Sequence, residues 1–333
     1  MNVARLIQQQ AQERPDKRAV VLTVPGANSN SYPFYTFAQF EKRSQQIAMR
    51  LQRRGVKPQD RVLLFVRPSL DFSVITFALF KLGAVPVLID PGMGRKNLLR
   101  AIKESRPVGL IGVNLVHVLR RLFLPTFSSV KWAFSVEKNF LLAPELLKNL
   151  DAYPSDISLY PAKDTDPAAI LFTSGGTGTP KGVVTTHGIL CAQTEMLRDL
   201  FKLQDHHVDM PGFPLFALFT LAMGMTSVIP DMDPTKPAQC DPAKIVRTLL
   251  DQSVTFAAGS PAIWERVGRF CRDQKITLPK LTHVVMFGAP VRSEIHELWK
   301  DILPHGTTYT PYGATECLPV TCISGAEVLA QHA

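Results

Sequence analysis

Leu171–Val184 reads LFTSGGTGTPKGVV. The apolar run Ala168–Phe172 predicts a buried strand, and Gly182–Thr186 predicts a second β-like run. Between them stand Thr173, Ser174, Gly175, Gly176, Thr177 and Gly178, then Pro180 and Lys181. Glycine lets the backbone approach an anion closely and turn its N–H groups inward. The hydroxyls of Thr173, Ser174 and Thr177 add donors for phosphate oxygens, and Lys181 adds a point charge on a flexible stem. These are the parts of a phosphate cradle. A Walker A loop needs G-x-x-x-x-G-K-[ST] opening a helix, whereas here Pro180 precedes the lysine and Gly182 follows it. Taken alone, a Gly/Thr-rich surface hairpin is the other reading of such a loop.

Working outward, apolar runs alternate with helical patterns. Upstream, strands are predicted at Arg18–Val24, Arg61–Val66, Ala84–Ile89 and Val108–Val113. Helices are predicted at Val3–Gln12, from Thr36 to Arg53, at Leu70–Leu82 and at Arg95–Lys103, with a further one around Pro144–Leu150. Downstream, the helices Gly188–Phe201, Pro242–Asp251 and Val291–Leu303 alternate with strands Val254–Ala258, Thr282–Phe287 and Thr307–Thr310. Strands that read as continuous apolar runs, joined through helices, argue for buried parallel sheets. The fold class is therefore α/β, with two doubly wound, mostly parallel sheets and helices packed around them. Pro154, Pro161 and Pro167 mark a connection, so the expected division is 1–160 and 161–333, the second part carrying the phosphate loop.

The chain has 333 residues, enough to bury a large core, and a formal charge of +9. The basic residues are scattered and no basic-aromatic stripe occurs, which argues against nucleic acid and for attraction to anionic small molecules. Weak contact with a membrane surface is compatible with that charge. Met210–Pro230 carries no charge, but Pro211, Gly212, Pro214, Gly224 and Pro230 break it, and a buried loop–helix–strand explains it better than a transmembrane span. The five cysteines show no C-x-x-C pattern, and the N-terminus lacks the apolar core of a secretory signal. Reduced thiols in a cytoplasmic protein are expected. His206-His207-x-Asp209 has no further ligand at metal spacing and reads as an exposed turn, and His117 as a structural histidine.

Two more motifs follow predicted strands: Gly288-Ala289-Pro290, and Tyr312-Gly313-Ala314-Thr315-Glu316. Loops beyond the carboxyl ends of strands in open α/β sheets can converge on a ligand. With the phosphate loop, in this order, they resemble the adenylate-forming superfamily of acyl-CoA synthetases, luciferases and peptide-synthetase adenylation domains. Gly176 stands where that loop commonly has Ser or Thr, so one hydroxyl is absent. The resemblance implies ATP and Mg²⁺ as cofactors. It implies that Thr173, Ser174, Gly175, Gly176, Thr177, Gly178 and Lys181 hold the β- and γ-phosphates. Gly288, Ala289 and Pro290 would wall the adenine, and Tyr312 would stack on it, with Gly313 and Ala314 beside it. Thr315 would donate to a phosphate oxygen and Glu316 would hold the metal. Lys181, Thr315 and Glu316 are the expected catalytic residues. Phe213, Phe216 and Phe219 fall where the superfamily builds its acyl pocket, although plain core packing suits each of them equally well.

Four segments, FALFKLGAVPVLIDPG, PLFALF, TSVIPDMDPTKPAQCDP and PYGATECLPV, look like the β-lactone synthetases of bacterial long-chain olefin biosynthesis. That likeness implies a long-chain fatty or β-hydroxy fatty acid as substrate, and an assembly with a decarboxylase and a dehydrogenase. The sequence stops shortly after Glu316. The expectation is an incomplete N-terminal domain, with the small C-terminal lid domain absent and turnover impaired. A fatty acyl-CoA synthetase or acyl-AMP ligase is an alternative activity. A non-catalytic nucleotide-binding remnant or interaction module is an alternative of another class.

Overall fold

The computed structural model describes residues 1–27, 31–138, 141–173 and 180–331. Its strands, in chain order, are β1 (Arg18–Leu22), β2 (Phe34–Thr36), β3 (Arg61–Phe65), β4 (Val85–Ile89), β5 (Gly109–Gly112), β6 (Trp132–Ser135) and β7 (Pro167–Thr173). They continue with β8 (Lys181–Thr186), β9 (Val208–Pro211), β10 (Thr226–Ile229), β11 (Phe256–Gly259), β12 (His283–Met286), β13 (Thr307–Ala314) and β14 (Cys317–Ser324). The fold is α/β with two mixed, mostly parallel sheets.

The chain forms two compact units, Met1–Glu13 with Ala38–Ala192, and Arg14–Phe37 with Gln193–Ala333. This differs from the division expected at 160/161. Two pairings move the boundary. Strand β7 pairs in parallel with β4, Val87 opposite Ile170, so the strands flanking the phosphate loop belong to the first unit. Strand β1 pairs in parallel with β10, Val20 opposite Ser227, so an early segment belongs to the second.

The first unit holds a six-stranded sheet in the order β6-β5-β3-β4-β7-β8. Only its β7–β8 edge is antiparallel among the pairs described. One face packs Leu63, Val87, Leu110, Ala133 and Ile170 into a single apolar core. The helix Leu70–Leu82 is buried from Phe72 onward and stops at Gly83, whose left-handed φ of 68° lets its N–H reach Leu79 O and Phe80 O. The segment Pro144–Leu150 is not an α-helix. Ser135 N–H donates to Pro144 O at 2.8 Å and Leu146 N–H to Ser135 O at 2.7 Å, so its backbone groups serve the end of β6 instead.

The second unit holds an eight-stranded sheet in the order β14-β13-β12-β11-β9-β10-β1-β2. Its two edges are antiparallel and the pairs between them are parallel. Alternation along β11 and β12 feeds two cores. Ala257, Val284 and Met286 join Ile245, Trp264 and Trp299 on one face. Phe256, Ala258 and Val285 join Phe201 and Met223 on the other.

An ion pair is buried in the first unit. The Lys81 side chain is 0% exposed and its Nζ lies 2.6 Å from Glu41 Oε1. Gln45 Nε2 donates to the same oxygen at 2.7 Å. Burial lowers the Lys81 pKa, and Glu41 opposes that shift. Removing only the carboxylate strands an ammonium group. Glu41→Ala should therefore destabilise the protein by roughly 3–5 kcal/mol in urea unfolding, whereas Glu41→Gln with Lys81→Met should recover most of that loss.

Candidate functional site

Strand β12 ends at Met286, and Phe287 N–H donates to Gly259 O at 3.1 Å before the chain leaves the sheet. Gly288 then takes a φ of 88°, a conformation that side chains with a Cβ rarely adopt. Gly288, Ala289 and Pro290 are all exposed. The helix Ser293–Lys300 follows, with its buried His296 turned to β13. Thr308 Oγ1 lies 2.7 Å from His296 Nδ1, and Thr310 Oγ1 lies 3.3 Å from Nε2. Burial lowers the imidazole pKa, so it works as a neutral clip between this helix and β13.

Strand β13 pairs in parallel with β12, Val285 opposite Tyr309, and runs on through Ala314. The tyrosine motif was expected to leave the strand at Thr310. Instead Thr315 and Glu316 form the turn of a hairpin, and Cys317–Ser324 returns antiparallel. The register shifts between Tyr312 and Ala314, at Gly313. A Cβ on Gly313 would lie 2.6 Å from Cys317 O, which only glycine avoids. Gln193 Nε2 steadies the returning strand by donating to Leu318 O at 3.0 Å. Tyr312 is 70% exposed and lies three residues beyond the Val285–Tyr309 pair, as Gly288 lies three residues beyond it on the other strand.

Behind the hairpin base lies an apolar cavity of about 20 Å³, room for roughly one water. Phe216, Phe219, Phe256, Val285 and Pro311 are among its walls. Phe216 also stacks on Phe287 with centroids 4.3 Å apart, which ties the cavity to the strand end before Gly288. Phe213 is not on its wall and is 44% exposed. The structure thus brings together Phe216, Phe219, Pro311 and the neighbour of Gly288, with the partly exposed Phe213 edge-on to Phe216 at a centroid distance of 6.4 Å.

The sequence reading missed Asp209. It lies in β9 with a fully buried side chain rather than in an exposed turn, and only His206 of that cluster is exposed. Thr220 Oγ1, on the cavity wall, donates to Asp209 Oδ2 at 2.6 Å. Asp209 pairs across the sheet with Ser227 on one side and with the cavity residue Phe256 on the other. Burial pushes its carboxyl up to about 7, with the Thr220 and Ser227 hydroxyls opposing. The signal in the sequence was a lone acid inside the apolar run Val208–Pro211.

In the first unit, Lys181 opens β8 opposite Thr173 and is exposed. Ser174, Gly175, Gly176, Thr177 and Gly178 lie outside the described residues, as does the Thr173 side chain. Among the described residues no three His, Cys, Asp or Glu side chains form a metal cluster. Glu316 is one exposed carboxylate at a turn. Mg²⁺ is commonly held by one or two carboxylates together with substrate phosphates, so this donor fits a magnesium ion that arrives with a nucleotide.

The family model for the AMP-binding enzyme matches residues 7–332. The chain belongs to the AMP-binding enzyme family. It is 38% identical over 341 residues to an olefin beta-lactone synthetase of Stenotrophomonas maltophilia (strain K279a), covering 98% of this chain and 60% of that protein. It is 40% identical over 332 residues to the olefin beta-lactone synthetase of Xanthomonas campestris pv. campestris, covering 97% and 58%. The chain therefore spans about 60% of the length of these curated relatives. The N-terminal domain of FACL13 from Mycobacterium tuberculosis superposes with a TM-score of 0.84 at 20% identity, covering 99% of this chain and 80% of that one. At that identity the likeness shows a shared fold.

Asp209 gives a pH test. Its folded pKa lies above its unfolded value, so the native state holds the extra proton and stability falls as pH rises from about 4 to about 7. Asp209→Asn keeps the shape and cannot ionise. Relative to this variant, the wild type should lose roughly 4 kcal/mol across that window in pH-dependent urea unfolding, and no more above it. Parallel curves would contradict the neutral carboxyl.

Proposed function

We propose that this chain binds ATP and activates a long-chain β-hydroxy fatty acid as its acyl-adenylate, leading to a β-lactone. The observation that carries the reading is 38–40% identity along nearly the whole chain to two proteins named olefin beta-lactone synthetase. The geometry supports it. The apolar cavity walled by Phe216 and Phe219 would suit an alkyl chain once those walls open, since as it stands it has room for about one water. The exposed Tyr312 offers a flat face for adenine, with Gly288, Ala289 and Pro290 as its wall.

In this reading the substrate carboxylate oxygen bonds to the α-phosphorus, the bond to the bridging oxygen breaks, and pyrophosphate leaves. Lys181 and the loop Thr173–Gly178 hold the β- and γ-phosphates, and Thr315 donates to a phosphate oxygen. Bound Mg²⁺ supplies charge neutralisation as pyrophosphate departs, and Glu316 is the residue that would hold it. No protein nucleophile is needed, because positioning and charge stabilisation lower the barrier. The substrate's own 3-hydroxyl then loses its proton, bonds to the acyl carbon and displaces AMP. Cys240, Cys271, Cys317 and Cys322 form no disulfide, as suits a reducing cytoplasm.

The test is pyrophosphate release by the 333-residue chain given Mg-ATP and a long-chain 3-hydroxy acid. Slow release is expected, in keeping with impaired turnover, and Lys181→Ala should reduce it about 10- to 100-fold further through loss of a charge-assisted contact. The product should be a lactone whether or not coenzyme A is present. A thioester would favour an acyl-CoA ligase, and a folded chain that releases no pyrophosphate would contradict adenylation.

A further inference from the structure

The helix Asn114–Leu122 in the first unit buries only one side. Val116 and His117 face the core, at 5% and 0% exposure, and His117 Nε2 lies 3.1 Å from Phe134 O and 3.3 Å from Gly112 O. On the other side stand Leu115, Val118 and Leu122, spaced to share a helical face, at 64%, 38% and 70% exposure. Leu124, just past the helix, is 63% exposed. Arg120 donates to Leu142 O at 3.2 Å, which draws that loop up to the last turn of the helix. Its neighbour Leu141 is fully exposed. Single exposed leucines are ordinary, but Leu115, Val118 and Leu122 share one helix face, and Leu124 continues it just past the helix end.

Along residues 114–142 the chain carries four basic side chains and one acid. Arg120 and Arg121 occupy the last turn of the helix, and Lys131 and Lys138 follow and are exposed. The sole acid between Asn114 and Leu142 is Glu137, and its carboxylate accepts the Asn114 N–H at 2.6 Å. The acid is therefore engaged at the far end of the helix, where it complements the helix dipole. What the patch presents is apolar surface beside positive charge.

We propose that this face docks on an anionic lipid surface. The leucines would enter the boundary between headgroups and acyl chains while Arg121 meets the headgroups. Charge decides between this and the other apolar partner within reach, a second copy. Two copies meeting about a two-fold axis would each bring the same arginines and lysines, and like charge would oppose like. A bilayer with anionic headgroups offers apolar depth and negative charge together. The helix is nine residues long, so it would lie on the surface rather than span it.

The test is flotation of the full chain with vesicles of phosphatidylcholine alone, or of phosphatidylcholine with phosphatidylglycerol. Binding should favour the phosphatidylglycerol vesicles and weaken as salt rises. Leu115→Glu with Leu122→Glu should lower the vesicle partition at least about tenfold, from lost apolar burial and added negative charge. Its thermal unfolding midpoint should match the wild type, because both side chains are exposed. Three results would overturn the proposal: no flotation, equal binding to both vesicle types, or binding that the double variant leaves unchanged. A concentration-dependent dimer that the same variant abolishes would assign the face to a second copy instead.

Discussion

Strands buried on both faces leave their peptide groups no water to bond, so each must pair in the sheet. In the second unit this constraint sets where the motifs stand. Val284 and Val285 lie opposite Thr308 and Tyr309, so β12 and β13 run side by side in the same direction. The loop after β12 carries Gly288–Pro290, and the hairpin that continues β13 carries Tyr312–Glu316. The two motifs share one end of one sheet because their strands are paired. His296 adds a side-chain bond between the helix after the first motif and the strand before the second.

The apolar cavity next to these motifs has a polar group behind its wall. Asp209 holds Thr220 at 2.6 Å, and Thr220 belongs to the helix Phe216–Ala222, which also carries Phe216 and Phe219. A neutral carboxyl can sit there without a counter-ion, whereas an ionised one would face an apolar core. The same bond fixes the cavity wall. At about 20 Å³ the cavity is far smaller than a long acyl chain, so accepting one requires its aromatic walls to move.

Much of this was legible in the sequence, because buried strands are continuous apolar runs and helix ends are punctuated. Gly83 after Leu70–Leu82 is one such stop, and the structure places it in the left-handed conformation. Partner choice was not legible. Nothing local in Arg18–Leu22 says that it pairs with a strand more than two hundred residues away, so the division between units was misplaced. The hairpin at Thr315-Glu316 was missed because its second strand, Cys317–Ser324, is mostly half-buried or exposed and lacks the apolar run of a buried strand. Asp209 was missed because a charged residue beside two histidines suggests solvent, and only the sheet register shows it buried between Ser227 and Phe256.

The most direct test is a crystal structure of the chain with a non-hydrolysable acyl-adenylate mimic, a long-chain 3-hydroxyacyl sulfamoyl adenosine. The expected result is adenine against Gly288–Pro290 with Tyr312 on its face, and the alkyl chain entering between Phe216 and Phe219. An adenine bound away from both motifs, or an alkyl chain that leaves that cavity closed, would contradict the assignment of this edge of the sheet to the AMP-binding site.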